Sequence, residues 1–420
     1  MISTAVCSKE FADCRSLRIC GRKINASTLV VLLFLIGSGE ESASSGSMSG
    51  RVGFEVRHFT QTAGHSLQSD RTSSAVTVEP HWRYESGSGH QLLDIALVGR
   101  TGSVDPQQNS VDAREVLFSH LDKNWEFHAG LGQFFWGVTE SHHVVDVINQ
   151  VDLVENIDGE DKLGQPVINL TKLTDRGAID VYFLPVYRER RYPGAKGRLR
   201  SEIPVAPDLA RFESRAGRHR LDVAARVFNT FGDIELALSA FAGTARSPQL
   251  TPAINEEGDR VLAPFYPVIV QWGIETQHTG DSLLLKLEGV RRRGDGNPYY
   301  VVAGGFEHGH YGILDSDIDL AILLEGSFDS RTAGNGALEN DVFSGLRLSF
   351  NDAQTTEVLA GVIADTKNSS KVFDLEGSRR LGENWKIQLQ VRLFRHIAPG
   401  DPLMAYQADS FISLRFSRYF

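Results

Sequence analysis

The sequence predicts an all-β fold: a transmembrane antiparallel β-barrel of about eighteen strands, with sixteen as the alternative count, behind a cleaved signal peptide. Three observations carry this. No apolar run reaches the roughly 18–20 residues that a spanning helix needs. Apolar and polar residues alternate with period two along most of the chain. Short turns and long connections alternate with each other. The 420 residues are 41% apolar, with net charge −10 and mean hydropathy −0.20. That balance argues against a basic nucleic-acid-binding protein. It suits a barrel, whose lipid face takes only every second residue. Forty glycines with 23 Phe, 10 Tyr and 5 Trp point the same way.

Residues 1–50 do not read as folded structure. Arg15, Arg18, Arg22 and Lys23 precede the apolar run Leu29 to Ile36, and small or polar residues Gly37 to Gly46 follow. This is the charged, apolar and cleavage-zone order of a secretory leader, with Gly37-Ser38-Gly39 or the neighbourhood of Ala43 as cleavage candidates. Residues 1–45 are therefore assigned to the leader and 46–420 to the barrel. Cys7, Cys14 and Cys20 all precede the apolar run and lack metal-site spacing.

The strands follow in order near 51–60, 74–85, 90–101, 110–120, 125–136, 165–174, 178–187, 218–230 and 233–245. The second half places them near 265–279, 282–293, 298–311, 316–330, 340–351, 354–366, 371–381, 384–397 and 406–420. Leu283, Leu285 and Leu287 against Lys286 and Glu288 show the alternation, as do Ile318, Leu320, Ile322 and Leu324 against Asp319 and Glu325. Tight turns such as Gly232-Asp233, Gly280-Asp281 and Gly382-Glu383 all fall at one end of an even-stranded barrel. Long connections at 137–164 and 188–217 fall at the other, the expected asymmetry of short periplasmic turns and external loops.

The chain ends in Phe411-Ile412-Ser413-Leu414-Arg415-Phe416-Ser417-Arg418-Tyr419-Phe420. This resembles the C-terminal signature by which bacterial outer-membrane barrels reach their assembly machinery, with Phe420 as the signal, although Arg418 stands where an aromatic is usual. Phe135-Trp136-Gly137-Val138-Thr139-Glu140-Ser141, Asp158 to Pro166 and Leu184-Pro185-Val186-Tyr187-Arg188-Glu189-Arg190 look like segments of an uncharacterised family of proteobacterial outer-membrane, porin-like barrels. The alginate-export porin is a looser likeness, in strand number. The resemblance implies an outer-membrane location and no substrate.

Two long connections carry opposite charge. Segment 137–164 holds Glu140, Asp146, Asp152, Glu155, Asp158, Glu160 and Asp161 against Lys162 alone; segment 188–220 holds ten basic residues and four acids. General porins fold their third loop into the lumen and set acids against a basic wall. The expected constriction therefore joins Asp152, Glu155, Asp158, Glu160 and Asp161 to Arg188, Arg190, Arg191, Arg198 and Arg200. The competing reading leaves both loops as solvated surface, acids meeting divalent cations and arginines meeting lipopolysaccharide phosphates. Lumen-lining candidates are Glu126, Asp222, Arg226, Glu275, Lys286, Glu288, Asp319, Arg347, Glu357, Lys386 and Arg392. Trp82, Trp125, Trp136, Tyr182, Tyr187, Trp272, Tyr299, Trp385, Tyr406 and Tyr419 suit interfacial girdles, with an inward direction for several of them as the alternative.

No nucleophile elbow, H-E-x-x-H or phosphate-binding loop is present. His142-His143-x-x-Asp146 makes a poor metal site, because adjacent residues on a strand face opposite ways. The expectation is a non-enzymatic outer-membrane channel for small polar or charged solutes, with no cofactor and no metal. The alternative is a component of an export or envelope-lipid system. Expected partners are outer-membrane lipid, lipopolysaccharide, the barrel assembly machinery and a periplasmic protein, with no nucleic acid.

Overall fold

A computed structural model describes residues 16–19, 22–25, 44–69, 71–331 and 340–420. Eighteen antiparallel strands close into one barrel. They are β1 (Ser45–Phe59), β2 (Thr72–Glu85), β3 (Gln91–Gly102), β4 (Ser110–Leu121), β5 (Trp125–Gly132) and β6 (Gln165–Thr174). Then come β7 (Gly177–Leu184), β8 (Asp222–Phe231), β9 (Ile234–Thr244), β10 (Val268–Thr279), β11 (Leu283–Arg293) and β12 (Tyr299–His310). The last six are β13 (Asp319–Asp329), β14 (Asp341–Ser349), β15 (Glu357–Asp365), β16 (Lys371–Leu381), β17 (Trp385–Arg395) and β18 (Phe411–Tyr419). Each expected strand has one counterpart. β18 closes the ring on β1, from Phe411 opposite Phe59 to Tyr419 opposite Arg51. Phe420 extends this seam, exchanging backbone hydrogen bonds of 3.0 and 3.1 Å with Gly50.

The two faces of each strand differ as the alternation requires. Along β11, Leu285 and Leu287 are 43% and 42% exposed on the outside, whereas Glu288 on the inner face is 0% exposed. An apolar exterior around polar interior positions is the barrel solution to a solvent with no hydrogen-bonding capacity. Gly232, in the two-residue connection between β8 and β9, has φ +62°, a conformation that glycine adopts without steric cost.

Several boundaries differ from expectation. β1 starts at Ser45 rather than residue 51, because Ser45–Gly50 continue the ladder along the full length of β2, from Ser45 opposite Glu85. Ser45 and Gly46 thus belong to the barrel ladder. The apolar run 29–36, the three cysteines and both cleavage candidates lie outside the described residues. Ser16–Ile19 pairs with Arg22–Asn25 in a separate hairpin, so part of the segment expected to lack structure is paired. β5 stops at Gly132, not 136, because the Asn149 side chain accepts the Phe134 amide proton at 2.8 Å and draws the chain off the sheet. β7 stops at Leu184, where Pro185 can donate no ladder bond. The stretch between the expected strands 233–245 and 265–279 contains a hairpin, Gln249–Ile254 with Arg260–Tyr266, joined in parallel by Arg211–Phe212.

One large apolar cluster lies inside the barrel. Trp136, Val145, Val147 and Ile148 from the β5–β6 connection pack on Leu117, Val167, Tyr182, Leu184, Ala224, Phe241, Ile269 and Val290 of the strands β4 and β6–β11. A second cluster, Phe59, Leu199, Val372, Phe394, Leu403 and Phe411, lies at the long-loop end beneath the β7–β8 and β17–β18 connections.

Candidate functional site: the infolded loop and the cavity beside it

Inward-facing apolar side chains cannot meet lipid, and the β5–β6 connection covers them. Its first stretch is gripped by three buried wall carboxylates. Glu275 on β10 accepts the amide proton of Gly137 at 3.1 Å. Glu288 on β11 accepts those of Val138 (2.6 Å) and Thr139 (2.9 Å), the Thr139 hydroxyl (2.7 Å) and, through its other oxygen, the Val145 amide (3.3 Å). Glu325 on β13 accepts the amides of Glu140 and Ser141, both at 2.8 Å, and the Ser141 hydroxyl at 2.7 Å. Hydrogen bonds to a charged acceptor contribute roughly 1.5–3 kcal/mol each. Farther along, Glu140 pairs with Arg347 on β14 at 2.8 Å, and Asp158 approaches Arg392 on β17 at 3.7 Å. A segment touching strands so far apart around the ring lies within it.

The loop acids divide. Asp152 is fully buried and bridges Arg114 of β4 (2.7 Å) and Arg191 (2.6 Å). Glu155 pairs with Arg100 of β3. Glu160 accepts from His143 at 3.1 Å and is 59% exposed at its side chain. Burial lowers the affinity of His143 for its proton, but the Glu160 hydrogen bond and the charges of Glu160, Glu288 and Asp146 outweigh it and leave its pKa raised. Burial together with the charges of Glu155 and Asp158 raises the pKa of Asp161 to about 7.

Of the arginines expected to face these acids, only Arg191 does so. Arg188 is buried against Asp112 (2.7 Å) and the Gly164 carbonyl (2.9 Å). Arg190 donates to Gln150 and to the Arg246 carbonyl. Arg198 forms a buried pair with Asp409 at 2.7 Å over the Phe59 ring. Arg200 donates to the carbonyls of Ala195, Ser201, Glu202 and Ser66. Arg188 and Arg190 thus meet the loop, at the Gly164 carbonyl and the Gln150 side chain, but not its acids, and the expected facing of Arg198 and Arg200 onto the loop is corrected. A guanidinium leaving water needs several acceptors in a fixed fork, and neighbouring carbonyls and other acids supply them.

The bases beside the loop come from the wall instead. A cavity of about 370 Å³ is lined by Glu55, Glu140, Glu155, Asp161, Glu357 and Glu376 and by Arg57, Arg347, Lys386 and Arg415. Arg57 lies 3.2 Å from Glu55, and Arg415 also pairs with Glu55. Glu55, Arg57, Arg415 and the anchor Glu325 were not among the expected site residues as such. Parity finds them: on β1, Glu55 and Arg57 alternate with the outward Phe54, Val56 and His58.

The wall candidates fall on the inner register with varied roles. Arg226 forms a two-point contact with Glu275 (3.1 and 3.0 Å). Lys286 and Arg347 both approach Glu307, at 3.8 and 2.9 Å. Arg392 pairs with Asp374, and Lys386 and Glu357 line the cavity. Glu126 lies 3.6 Å from His128. Asp222 is buried and accepts from Arg220 (2.7 Å) and Arg246 (3.1 Å). Asp319 instead closes turns, accepting from the Gly312 amide at 2.9 Å and Asn351 at 2.8 Å. Among the aromatics, Trp125, Trp272, Trp385 and Tyr419 are exposed, while Trp136, Tyr182, Tyr187 and Tyr299 are buried. Tyr406 stacks on Phe394 in the second cluster. These five take the inward alternative rather than the girdle. His142 and His143 lie on the loop rather than a strand, and no group of three potential metal ligands occurs among the described residues.

The closed eighteen-stranded ring has the fold of a solved porin structure. It is similar to a BenF-like porin from Pseudomonas fluorescens Pf-5, at 12% identity and TM-score 0.53, over 91% of this chain and 99% of that one. OpdQ of Pseudomonas aeruginosa aligns at 11% identity and TM-score 0.49, over 90% and 97% of the two chains. No protein-family model and no curated protein sequence matches the chain.

Proposed function

We propose that the protein is an outer-membrane diffusion channel for small polar or charged solutes, narrowed by the loop of residues 137–164. The observation that supports it best is the attachment of that loop to wall carboxylates of β10, β11 and β13, beside a charged cavity of about 370 Å³. Acids of the loop (Glu140, Glu155, Asp158, Asp161) would then stand opposite wall bases (Arg57, Arg347, Arg392, Arg415), a transverse field that sorts solutes by charge and dipole. Passage is diffusive, with no covalent step. Because six carboxylates line the cavity against four bases, the channel favours cations at neutral pH and above.

Single-channel conductance of the refolded full-length protein, with a reversal potential measured across a salt gradient, tests this. Ohmic steps and a cation-selective potential are expected, and Asp158→Asn with Asp161→Asn should move that potential towards zero. A barrel that does not conduct would refute the channel, and unchanged selectivity in the double variant would refute the constriction.

A further inference from the structure

On β11 the outward side chains run Leu283, Leu285, Leu287, Gly289, Arg291, Arg293 from the tight-turn end to the long-loop end. Arginine facing lipid is costly at the bilayer midplane and tolerated at its edge, so the switch from leucine to arginine marks an interface. Register sets Arg291 between Trp272 of β10 and Tyr300 of β12. The Arg293 guanidinium lies 5.1 Å from the centre of the Trp272 ring, and Tyr300 stacks on Phe328 of β13 at 5.8 Å. Both arginines are exposed, and among the described residues neither has an acidic partner. Their inward neighbour Arg292 is satisfied, donating to Gln271 at 2.9 Å. One step below Arg291, Gly289 sits in register with Ile274 and Val302. Lacking a side chain, it leaves a shallow dip between Ile274 and Val302, whose Cγ2 atoms would lie 3.4 and 3.9 Å from a Cβ placed there.

We propose that this face holds one phosphorylated lipid of the leaflet at the long-loop end. Arg291 and Arg293 clasp its phosphate in the forked geometry guanidinium favours, Trp272 and Tyr300 flank the headgroup, and an acyl chain lies over Gly289. Resting on the outer-membrane reading above, which puts the long loops outside, the occupant is lipopolysaccharide. The site is distinct from the lumen, so the two readings can fail separately.

The refolded full-length protein in detergent is titrated with lipopolysaccharide that retains its lipid A phosphates, with the same material dephosphorylated, and with phosphatidylglycerol. Binding is followed by tryptophan fluorescence, with Trp272→Phe identifying the reporting residue. R291Q with R293Q should weaken binding of the phosphorylated material at least about tenfold, as loss of a charge-assisted clasp implies, and leave single-channel conductance unchanged. Gly289→Leu, which fills the dip and removes no charge, should also weaken binding. Wild-type affinity in the arginine double variant, or equal affinity for phosphatidylglycerol and lipopolysaccharide, overturns the site. A non-conducting barrel that still binds lipopolysaccharide through these arginines overturns the channel and leaves the site standing.

Discussion

The two sides of the barrel interior obey different chemistry. Around β4 and β6–β11 the inner wall carries an apolar patch among its charged groups, and Trp136, Val145, Val147 and Ile148 of the infolded loop pack on it like a domain core. Around β14–β18 and β1 the inner wall carries Glu357, Glu376, Lys386, Arg415, Glu55 and Arg57, and the space stays open. Carboxylates occur on both sides but do different things. Glu288 and Glu325 accept backbone amides of the loop, whereas Glu55 pairs with Arg57 on its own strand and Arg415 on the next, at the cavity wall. The same period-two strand pattern therefore builds a dry half and a wet half, and the charged cavity lies on the wet side.

The contrast can be broken at several points. Replacing Ser141–Glu160 with a short Gly-Ser linker removes the filling and should raise single-channel conductance severalfold, the largest effect; an unchanged step size would show that the loop does not narrow the barrel. Glu288→Gln with Glu325→Gln weakens the grip on five loop amides and two hydroxyls, at roughly 1.5–3 kcal/mol for each bond to a charged acceptor. Noisier and larger conductance with little change in ion preference is expected, because both side chains are buried away from the cavity. On the wet side, Arg57→Gln with Arg415→Gln removes two of the four lining bases and should raise the cation-to-anion permeability ratio without enlarging the step.

The smallest effect is a pH response. Asp161 has a pKa raised to about 7 by burial and by Glu155 and Asp158. It is neutral below that pH and negative above it, so cation preference should rise as pH climbs from about 6 to 8. Asp161→Asn should hold the low-pH value throughout and flatten the profile in salt-gradient recordings. A profile unaltered by this substitution would place the titrating group elsewhere.

Strand number, pairing order and the inner face were legible because lipid on one side and water or protein on the other force strict alternation. The landing of the 137–164 loop was not. Its anchors join residues about 140–190 positions apart, such as Gly137 to Glu275 and Glu140 to Glu325, and no local pattern encodes which main-chain amide a carboxylate will accept. Glu275 and Glu288 were readable as inward-facing but not as supports. Trp136 and Tyr182 could not be assigned from sequence because aromatics near strand ends suit both an interface and a core, and only the apolar patch of the dry half decides. The arginines at 188–200 were visible as charge, while their burial depended on acceptors such as Asp409, Asp112 and main-chain carbonyls from distant connections.

Because the wall glutamates hold main-chain amides at residues 137–141, most of the grip is indifferent to what those residues display. Mutation can rewrite the displayed chemistry without casting the segment adrift. A scaffold of this kind keeps what fastens the segment separate from what it shows to the barrel interior.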